Sequence, residues 1–203
     1  EERFREAASL IRKGAEHLNA LLTEILDLAK VEAGSMQLSP EPVDLRALLN
    51  GTVDFFALSA SAKGLKLASE LDPDLPARVF CDGLRLKQIL NNLLSNALKF
   101  TEQGEIVVRV RHEGEGLLVQ VQDSGPGIPL DKQEQIFEKF RQGDARVSYQ
   151  HGGTGLGLAL SRALAELMEG RLTVRSQPGE GACFELRLPL RSPPADAQPA
   201  RQD

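Results

Sequence analysis

One face of a predicted helix over residues 84–100 carries polar side chains of an unusual kind. At 100° of rotation per residue that face holds Gln88, Asn92, Ser95, Asn96 and Lys99. The opposite face holds Leu86, Ile89, Leu90, Leu93 and Ala97. Amide oxygens can ligate a hard cation such as Mg²⁺, and a lysine can contact phosphate oxygens. Taken alone, the polar face is equally consistent with hydrogen bonds to neighbouring loops.

A carboxylate ends a predicted strand over residues 117–123. Apolar residues alternate along this strand, and the two-residue period puts Asp123 on their inward side. A buried carboxylate is costly unless groups donate hydrogen bonds to it, and an adenine amino group is a suitable donor. Gly125 and Gly127 would let the backbone approach a flat base. A turn aspartate that caps its own backbone is the alternative; the inward phase favours the ligand.

Glycines cluster at 152–157, at the start of a predicted helix over 156–168. Free backbone amides at a helix start, with glycines that allow close approach, can hold phosphate. The cluster is not a P-loop, and Leu160 stands where the dinucleotide fingerprint needs a third glycine. The polar segment between Ile128 and Gly152 is suited to a lid over phosphates, because it carries Lys139, Arg141, Arg146 and His151.

Helix and strand patterns alternate from residue 43 to 190 and must position these groups. Helices are predicted over 45–62, 84–100, around 132–140 and over 156–168. Strands are predicted over 65–71, 78–82, 105–112, 117–123, 171–176 and 182–188. Consecutive hairpin-like strands mixed with helices predict an α/β two-layer sandwich of a mixed sheet and helices, not a doubly wound parallel sheet.

A long helix is predicted over residues 4–30, before this domain. Its apolar residues repeat every seven positions, in one row of Phe4, Ile11, Leu18 and Ile25 and a second of Ala8, Ala15, Leu22 and Ala29. So narrow a seam is typical of coiled coils. We expect a partner helix, from upstream sequence or a second copy, with docking on its own domain as the alternative. Gly34 and Pro40-Glu41-Pro42 end the helix.

The composition is that of an ordinary globular chain. Its 203 residues suffice for one domain of about 150 residues and an appendage. The net charge of −5, with no basic tract, argues against nucleic acid as a partner. No apolar run reaches the length of a bilayer span, and Cys81 and Cys183 suggest neither a zinc site nor a disulfide framework. Because residue 1 already lies in a helical pattern, we expect a piece of a longer protein.

The motifs become specific in combination. Asn92–Phe100, Asp123-x-Gly-x-Gly, Phe137-x-x-Phe140 and Gly153-x-Gly-x-Gly follow one another along the chain. In this order they resemble the N, G1, F and G2 boxes of the ATP-binding catalytic domain of sensor histidine kinases. The segment Phe4–Gly34 resembles the second helix of that family's dimerisation hairpin.

The resemblance implies a fold and domain bounds. The fold is the ATPase domain shared by histidine kinases, type II topoisomerases, heat-shock chaperones and mismatch-repair ATPases. Residues 1–40 would form the hairpin helix and linker, 41–190 the catalytic domain, and 191–203 a disordered tail or linker.

The resemblance also implies ATP and Mg²⁺ as cofactors. Asp123 would accept a hydrogen bond from the adenine amino group. The base pocket would be completed by Phe100, Gly125, Gly127 and Ile128, and the lid would be anchored by Phe137 and Phe140. Asn96 would ligate Mg²⁺, Asn92 would act beside it, and Lys99 would contact phosphate, these three being the catalytic residues. The phosphates would lie against Gly153, Thr154, Gly155, Leu156 and Gly157.

The implied reaction is transfer of the ATP γ-phosphoryl group to a histidine nitrogen, by positioning and charge neutralisation. The family's acceptor lies in a His-Glu/Asp-x-Arg-x-Pro-like box on the first hairpin helix. His17 is followed by Leu18-Asn19-Ala20, and His112 lies in a predicted strand, so neither matches. His151, beside the glycines, is a candidate phosphate contact. We therefore expect this chain to bind ATP without phosphorylating itself.

Two other functions stay open. The first is ATP hydrolysis that drives conformational change, but relatives that hydrolyse ATP place a glutamate where Asn92 stands, and an amide is a poor general base. The second is a regulatory module that keeps the motifs and acts by binding partners.

Partners and location follow from the resemblance. We expect the chain's own dimerisation hairpin, a second kinase copy and a response-regulator receiver domain, and no nucleic acid. A cytoplasmic domain of a parent anchored in the bacterial inner membrane is implied. The tail after residue 190 is either a C-terminus or a linker to a receiver domain, as in hybrid kinases.

Overall fold

The structure is a computed structural model that describes residues 2–140 and 154–191. Its α-helices are α1 (Glu2–Glu32), α2 (Leu45–Ala62), α3 (Gly83–Phe100) and α4 (Gly157–Leu167). Its strands are β1 (Glu41–Asp44), β2 (Lys66–Leu71), β3 (Arg78–Cys81), β4 (Glu105–Glu113), β5 (Gly116–Asp123), β6 (Arg171–Ser176) and β7 (Ala182–Pro189). Short 3₁₀ turns lie at Leu130–Lys132 and Gln135–Phe137.

The main sheet has five strands in the order β2-β4-β5-β7-β6. β2 and β4 are parallel, and the other neighbours are antiparallel, so the sheet is mixed. In this register Asp123, the last residue of β5, lies between Ile106 of β4 and Ala182 of β7. Because β5 lies between β4 and β7, the beginnings of both neighbouring strands flank Asp123.

Helices α2, α3 and α4 cover one face of this sheet. α2 contacts β2 and α3, and α4 contacts α3 and β6. The inward residues of β4 and β5 are buried, among them Ile106, Val108, Val119 and Val121. One layer of helices on one mixed sheet confirms the predicted α/β two-layer sandwich.

Helix α3 begins one residue before its predicted start because Asp82 caps it. The Asp82 carboxylate accepts hydrogen bonds from the amides of Arg85 at 3.0 Å and Ser39 at 2.9 Å. The predicted apolar face is buried, with Leu86, Ile89, Leu90, Leu93 and Ala97 each at most 4% exposed. Since that face is fixed against the sheet and its neighbours, the polar face of α3 lies outside this core, where Asn92 meets α4.

One strand was not predicted, and one local prediction is wrong. The helix ends before Pro40-Glu41-Pro42 as the sequence predicts, and Glu41–Asp44 then forms an unpredicted strand paired with β3. Pro42 is tolerated there because a two-stranded sheet leaves part of each backbone without ladder bonds. The predicted helix around 132–140 is instead a 3₁₀ turn, Gln135–Phe137, followed by extended Glu138 (ψ 146°), since Phe137 turns into the core.

Helix α1 combines an exposed seam with a docked end. Phe4 and Ile11 are 84% and 73% exposed, whereas Leu28 is 6% exposed and joins the core. Near this end Asp27 accepts hydrogen bonds from Arg85 Nη1 and Gln88 Nε2, both at 3.1 Å. Docking on its own domain therefore describes the last turns, and pairing of the exposed seam with a partner helix stays a prediction.

Among the described residues, none of the helices combines the length and apolarity that crossing a bilayer requires. The predicted tail lies outside the described residues after Arg191, and so do Arg141, Arg146 and His151 of the predicted lid.

Candidate active site

The amide face of α3 meets the start of α4. Asn92 Nδ2 donates a hydrogen bond to Ser161 Oγ of α4 at 2.9 Å. A Cβ added to Gly157, the first residue of α4, would overlap the Asn92 amide, with Cγ only 2.9 Å away. Because Gly157 has no side chain, Asn92 reaches the backbone at the N-terminal start of α4, where amide groups are not used within the helix.

Asn96 and Lys99 follow Asn92 on the same face of α3. Both are half-buried. Lys99 Nζ lies 4.9 Å from the centre of the Phe100 ring, an arrangement that fits a cation–π contact. Burial lowers the pKa of Lys99, so a bound anion would favour the charged ammonium.

Gln88 belongs to a different contact. Its side chain accepts from Arg85 Nη1 at 2.9 Å and donates to Asp27 of α1. The predicted polar face is therefore divided: Gln88 holds α1, Asn92 contacts α4, and half-buried Asn96 and Lys99 follow Asn92 along the helix.

Asp123 is 8% exposed on the inward face of the sheet, as its strand phase predicted. Its Oδ1 accepts hydrogen bonds from the amides of Gly125 at 2.8 Å and Ala182 at 3.3 Å. Burial raises the pKa of Asp123, and these two hydrogen bonds oppose the rise. Its Oδ2 accepts no hydrogen bond from residues 2–140 or 154–191, so one carboxylate oxygen is available to a donor.

Glycines shape the loop after Asp123. A Cβ on Gly125 would lie 2.8 Å from Asp123 Oδ1 and 3.2 Å from the Phe100 carbonyl oxygen, so the glycine keeps this space open. Gly127 has φ +74°, and a Cβ there would lie 2.8 Å from the Gln177 carbonyl carbon. Half-buried Ile128 holds the loop to the end of β6, because its amide donates to Ser176 Oγ at 2.8 Å.

The two phenylalanines of the predicted lid differ. Phe137 is buried, packs edge-on against Phe184 and lies under the Arg162 guanidinium, 4.6 Å from the ring centre. Phe140 is 68% exposed at φ +58°, and its amide donates to the Gly155 carbonyl at 3.0 Å. Phe137 thus anchors the segment, and Phe140 joins it to the glycine cluster through the backbone.

The described part of the glycine cluster runs from Thr154 to Gly157. Thr154 Oγ1 donates to Glu24 Oε2 of α1 at 2.6 Å and accepts from the Leu156 amide at 3.2 Å. Gly155 has φ +70°, and Leu156 is buried. Gly153 lies outside the described residues.

Several residues of the site were missed by sequence reasoning. Ser161 contacts Asn92, Ala182 and Gly181 support Asp123, and Glu24 reaches Thr154. Gly181 has φ +80°, and a Cβ there would lie 2.9 Å from the Asp123 carbonyl carbon. Nothing local in the sequence indicated that Gly181 would pack on Asp123.

The donor set suits Mg²⁺ only together with further oxygen ligands. Within residues 2–140 and 154–191, no three histidine, cysteine, aspartate or glutamate side chains cluster as a metal site. The amide oxygens of Asn92 and Asn96 are hard, neutral ligands, and Mg²⁺ is usually bound through few protein oxygens plus phosphates and water. The site therefore fits a cation that arrives with a polyphosphate.

Comparison with known proteins places this geometry in a family. A family model described as "Histidine kinase-, DNA gyrase B-, and HSP90-like ATPase" matches residues 81–192, more than half of the chain. The chain is 42% identical over 92% of its length to the sensor protein TorS of Escherichia coli (strain K12). It is 44% identical over 93% of its length to the sensor histidine kinase GacS of Pseudomonas protegens. It spans 20% and 21% of these relatives.

A solved structure agrees over almost the whole chain. Full-length ShkA in complex with AMPPNP superposes with a TM-score of 0.84 at 33% identity, covering 94% of this chain and 40% of ShkA. The match includes the segment before residue 81, so the likeness extends beyond the family model to the α1 side of the chain. The chain therefore belongs to the histidine kinase-, DNA gyrase B- and HSP90-like ATPases and is the ATP-binding catalytic domain of a sensor histidine kinase.

Proposed function

We propose that this domain binds Mg²⁺–ATP between α3, the loop after β5 and the start of α4, and transfers its γ-phosphoryl group to a histidine of a dimerisation hairpin. The observation that carries the proposal is the contact of Asn92 with Gly157. It sets an amide face, suited to a metal ion, against a glycine-rich helix start, suited to phosphate. The AMPPNP in the ShkA complex supports an adenine nucleotide as ligand.

Adenine would lie beside Asp123. The free Oδ2 would accept a hydrogen bond from the adenine amino group while Oδ1 stays bound to the loop. Gly125 and Gly127 keep the loop close to the base, and Ile128 and Phe100 offer apolar surface at its edges. A guanine oxygen in place of the amino group would face the carboxylate and be rejected.

Asn96 would hold Mg²⁺ through its amide oxygen, with Asn92 beside it. When bound, the ion neutralises charge on the phosphate oxygens during transfer. Lys99 would contact a phosphate, and the backbone of 153–157 would donate to the others. Phe137 and Phe140 would anchor a lid over them. The chain's contribution is thus positioning and charge complementarity.

The acceptor histidine is proposed to lie on the other helix of the hairpin that α1 resembles. The exposed seam of α1, from Phe4 to Ile25, would pack in a homodimer of the parent kinase. Residues 1–40 would then be hairpin helix and linker, and 41–190 the catalytic domain.

The parent protein is proposed to signal to a response-regulator receiver domain. In a hybrid kinase this receiver domain would be part of the parent protein itself. It is further proposed to be anchored in the bacterial inner membrane, with this domain in the cytoplasm. The sensor proteins TorS and GacS, about five times longer than the matched region, support a parent with further domains.

Hydrolysis of ATP by this chain alone is disfavoured at Asn92. Its amide nitrogen is engaged with Ser161, and an amide has no basic group to activate water.

The proposal is tested by calorimetric titration of the chain with ATP, with and without Mg²⁺. The Gly157→Ala variant displaces the Asn92 amide, and loss of such a polar contact, about 1–3 kcal/mol, should weaken Mg²⁺–ATP binding roughly 5- to 100-fold. The control is Gly51→Ala on α2, where an added Cβ meets nothing within 4 Å. Absence of nucleotide binding, or equal affinity of Gly157→Ala and wild type, would refute this site.

A further inference from the structure

A buried serine hydroxyl interrupts the apolar contact between α3 and α4. Ser161 is 2% exposed, and Leu160, Leu164 and Ala165 around it on α4 are equally buried. A hydroxyl in such an interface is costly unless it forms a hydrogen bond, and alanine would fill the position without that cost. The serine therefore needs a reason beyond packing.

Its partner is the amide of Asn92. Asn92 Nδ2 donates to Ser161 Oγ at 2.9 Å, while the other end of the amide lies against Gly157. Gly157 and Ser161 are four residues apart, so they lie one above the other on the same face of α4. The Asn92 amide lies along that face, with its nitrogen one turn inside the helix and its oxygen at the glycine-rich start.

We propose that Ser161 is a positioning residue that holds the Asn92 amide in place against Gly157, with Oδ1 towards the Mg²⁺–ATP phosphates. The inference rests on the proposed function and deepens it. The two ends of an amide have nearly the same shape but opposite chemistry: the oxygen accepts and can ligate a cation, and the NH₂ group only donates. A rotated Asn92 would turn its donors to the metal.

Removal of the hydroxyl releases this constraint. In the Ser161→Ala variant, Asn92 Nδ2 would have no acceptor at the interface between α3 and α4. Rotation of the amide would let Nδ2 turn towards the glycine-rich loop and find another acceptor. We expect the substitution to weaken only the Mg²⁺-dependent part of ATP binding, because that part needs the Asn92 oxygen.

The experiment measures the ratio of ATP affinities with and without Mg²⁺ for the full chain. Ser161→Ala should lower that ratio about 3- to 10-fold, the effect of one lost hydrogen bond, and leave Mg²⁺-free affinity within about twofold. Asn92→Ala should lower it at least as much. The Asn92→Ala/Ser161→Ala double variant should behave like Asn92→Ala alone, because both changes remove one unit.

Thr52→Val is the matched control. It removes another buried hydroxyl, which bonds to the Leu48 carbonyl of α2 at 2.7 Å, and should leave the ratio unchanged. Urea unfolding checks that each variant is folded. If Ser161→Ala does not fold, Ser161→Cys keeps the volume with a weaker acceptor and should also lower the ratio.

The outcomes separate the two proposals. A wild-type chain that binds no ATP, or gains nothing from Mg²⁺, overturns the proposed function itself. A wild type that responds to Mg²⁺ and a folded Ser161 variant with the same ratio overturn only the role of Ser161. Equal weakening with and without Mg²⁺, or additive effects of the two substitutions, would likewise make Ser161 a structural residue.

Discussion

At the scale of residues, Asp123 fills the capping role that its sequence context offered, and the ligand role offered as the alternative stays a proposal. Oδ1 caps the following loop through the Gly125 amide, as a turn aspartate does, and also takes the Ala182 amide from β7. Among the described residues none donates to Oδ2, and we propose that this oxygen takes the ligand. The raised pKa of Asp123 means that burial of the charge is only partly offset in the ligand-free domain.

Asp123→Asn should therefore weaken ATP binding and at the same time stabilise the ligand-free domain. A hydrogen bond to a charged group contributes ~1.5–3 kcal/mol, so we expect ATP affinity to fall roughly 10- to 100-fold. Asn Oδ1 can still accept from the two backbone amides, and no charge is buried. Calorimetry and urea unfolding measure the two effects; a variant that still prefers ATP over GTP would contradict the adenine contact.

The stability of the wild type should also depend on pH through Asp123. Because its folded pKa is raised, the native state binds this proton more tightly than the unfolded chain does. The free energy of unfolding should fall as pH rises from the ordinary aspartate range through the raised pKa. Asp123→Asn should lack this fall. Asp54→Asn, an exposed control on α2, should retain it.

At the scale of elements, helix α1 touches the site through acidic side chains. Glu24 accepts from Thr154 in the glycine cluster, and Glu32 pairs with Lys139. These contacts engage a hydroxyl and a cation that are expected to face phosphates. A docked α1 and a bound triphosphate therefore place negative charges close together.

Glu24→Gln should tighten ATP binding, because it removes a negative charge beside the phosphates and keeps an acceptor for Thr154. An interaction between partly exposed charges of ~0.5–1 kcal/mol corresponds to an affinity gain of roughly two- to fivefold. Adenosine, which has no phosphates, should bind equally to both proteins, and so should ATP to the exposed control Glu6→Gln. A gain that is equal for adenosine and ATP would exclude the electrostatic explanation.

At the scale of the whole molecule, the proposed transfer needs a second helix. A longer protein that adds the upstream hairpin helix should phosphorylate its own histidine with Mg²⁺–ATP, whereas this chain should not. Radiolabel transfer from γ-labelled ATP measures this, and Gly157→Ala in the longer protein should reduce it. A longer protein that binds ATP yet stays unphosphorylated would favour a regulatory module.

Periodicity settled much of the fold and part of the site. The 3.6-residue repeat fixed the polar and apolar faces of α3, and the two-residue repeat of β5 fixed the inward direction of Asp123. Both are properties of one segment, so they could be read without its neighbours. Where local signals were weak, packing decided the backbone: the strand at Pro42 went unpredicted, and the helix predicted before Phe137 is wrong.

The tertiary structure alone decided which remote residues meet. That Ser161 faces Asn92, that Gly181 packs on Asp123 and that Glu24 reaches Thr154 depends on how α4 packs against α3, on the register of β7 and on the docking of α1. These are relations between distant segments, and no repeat within one segment encodes them. The sequence by itself determined the chemistry that each element presents, and packing of the elements determined how those groups are oriented towards one another.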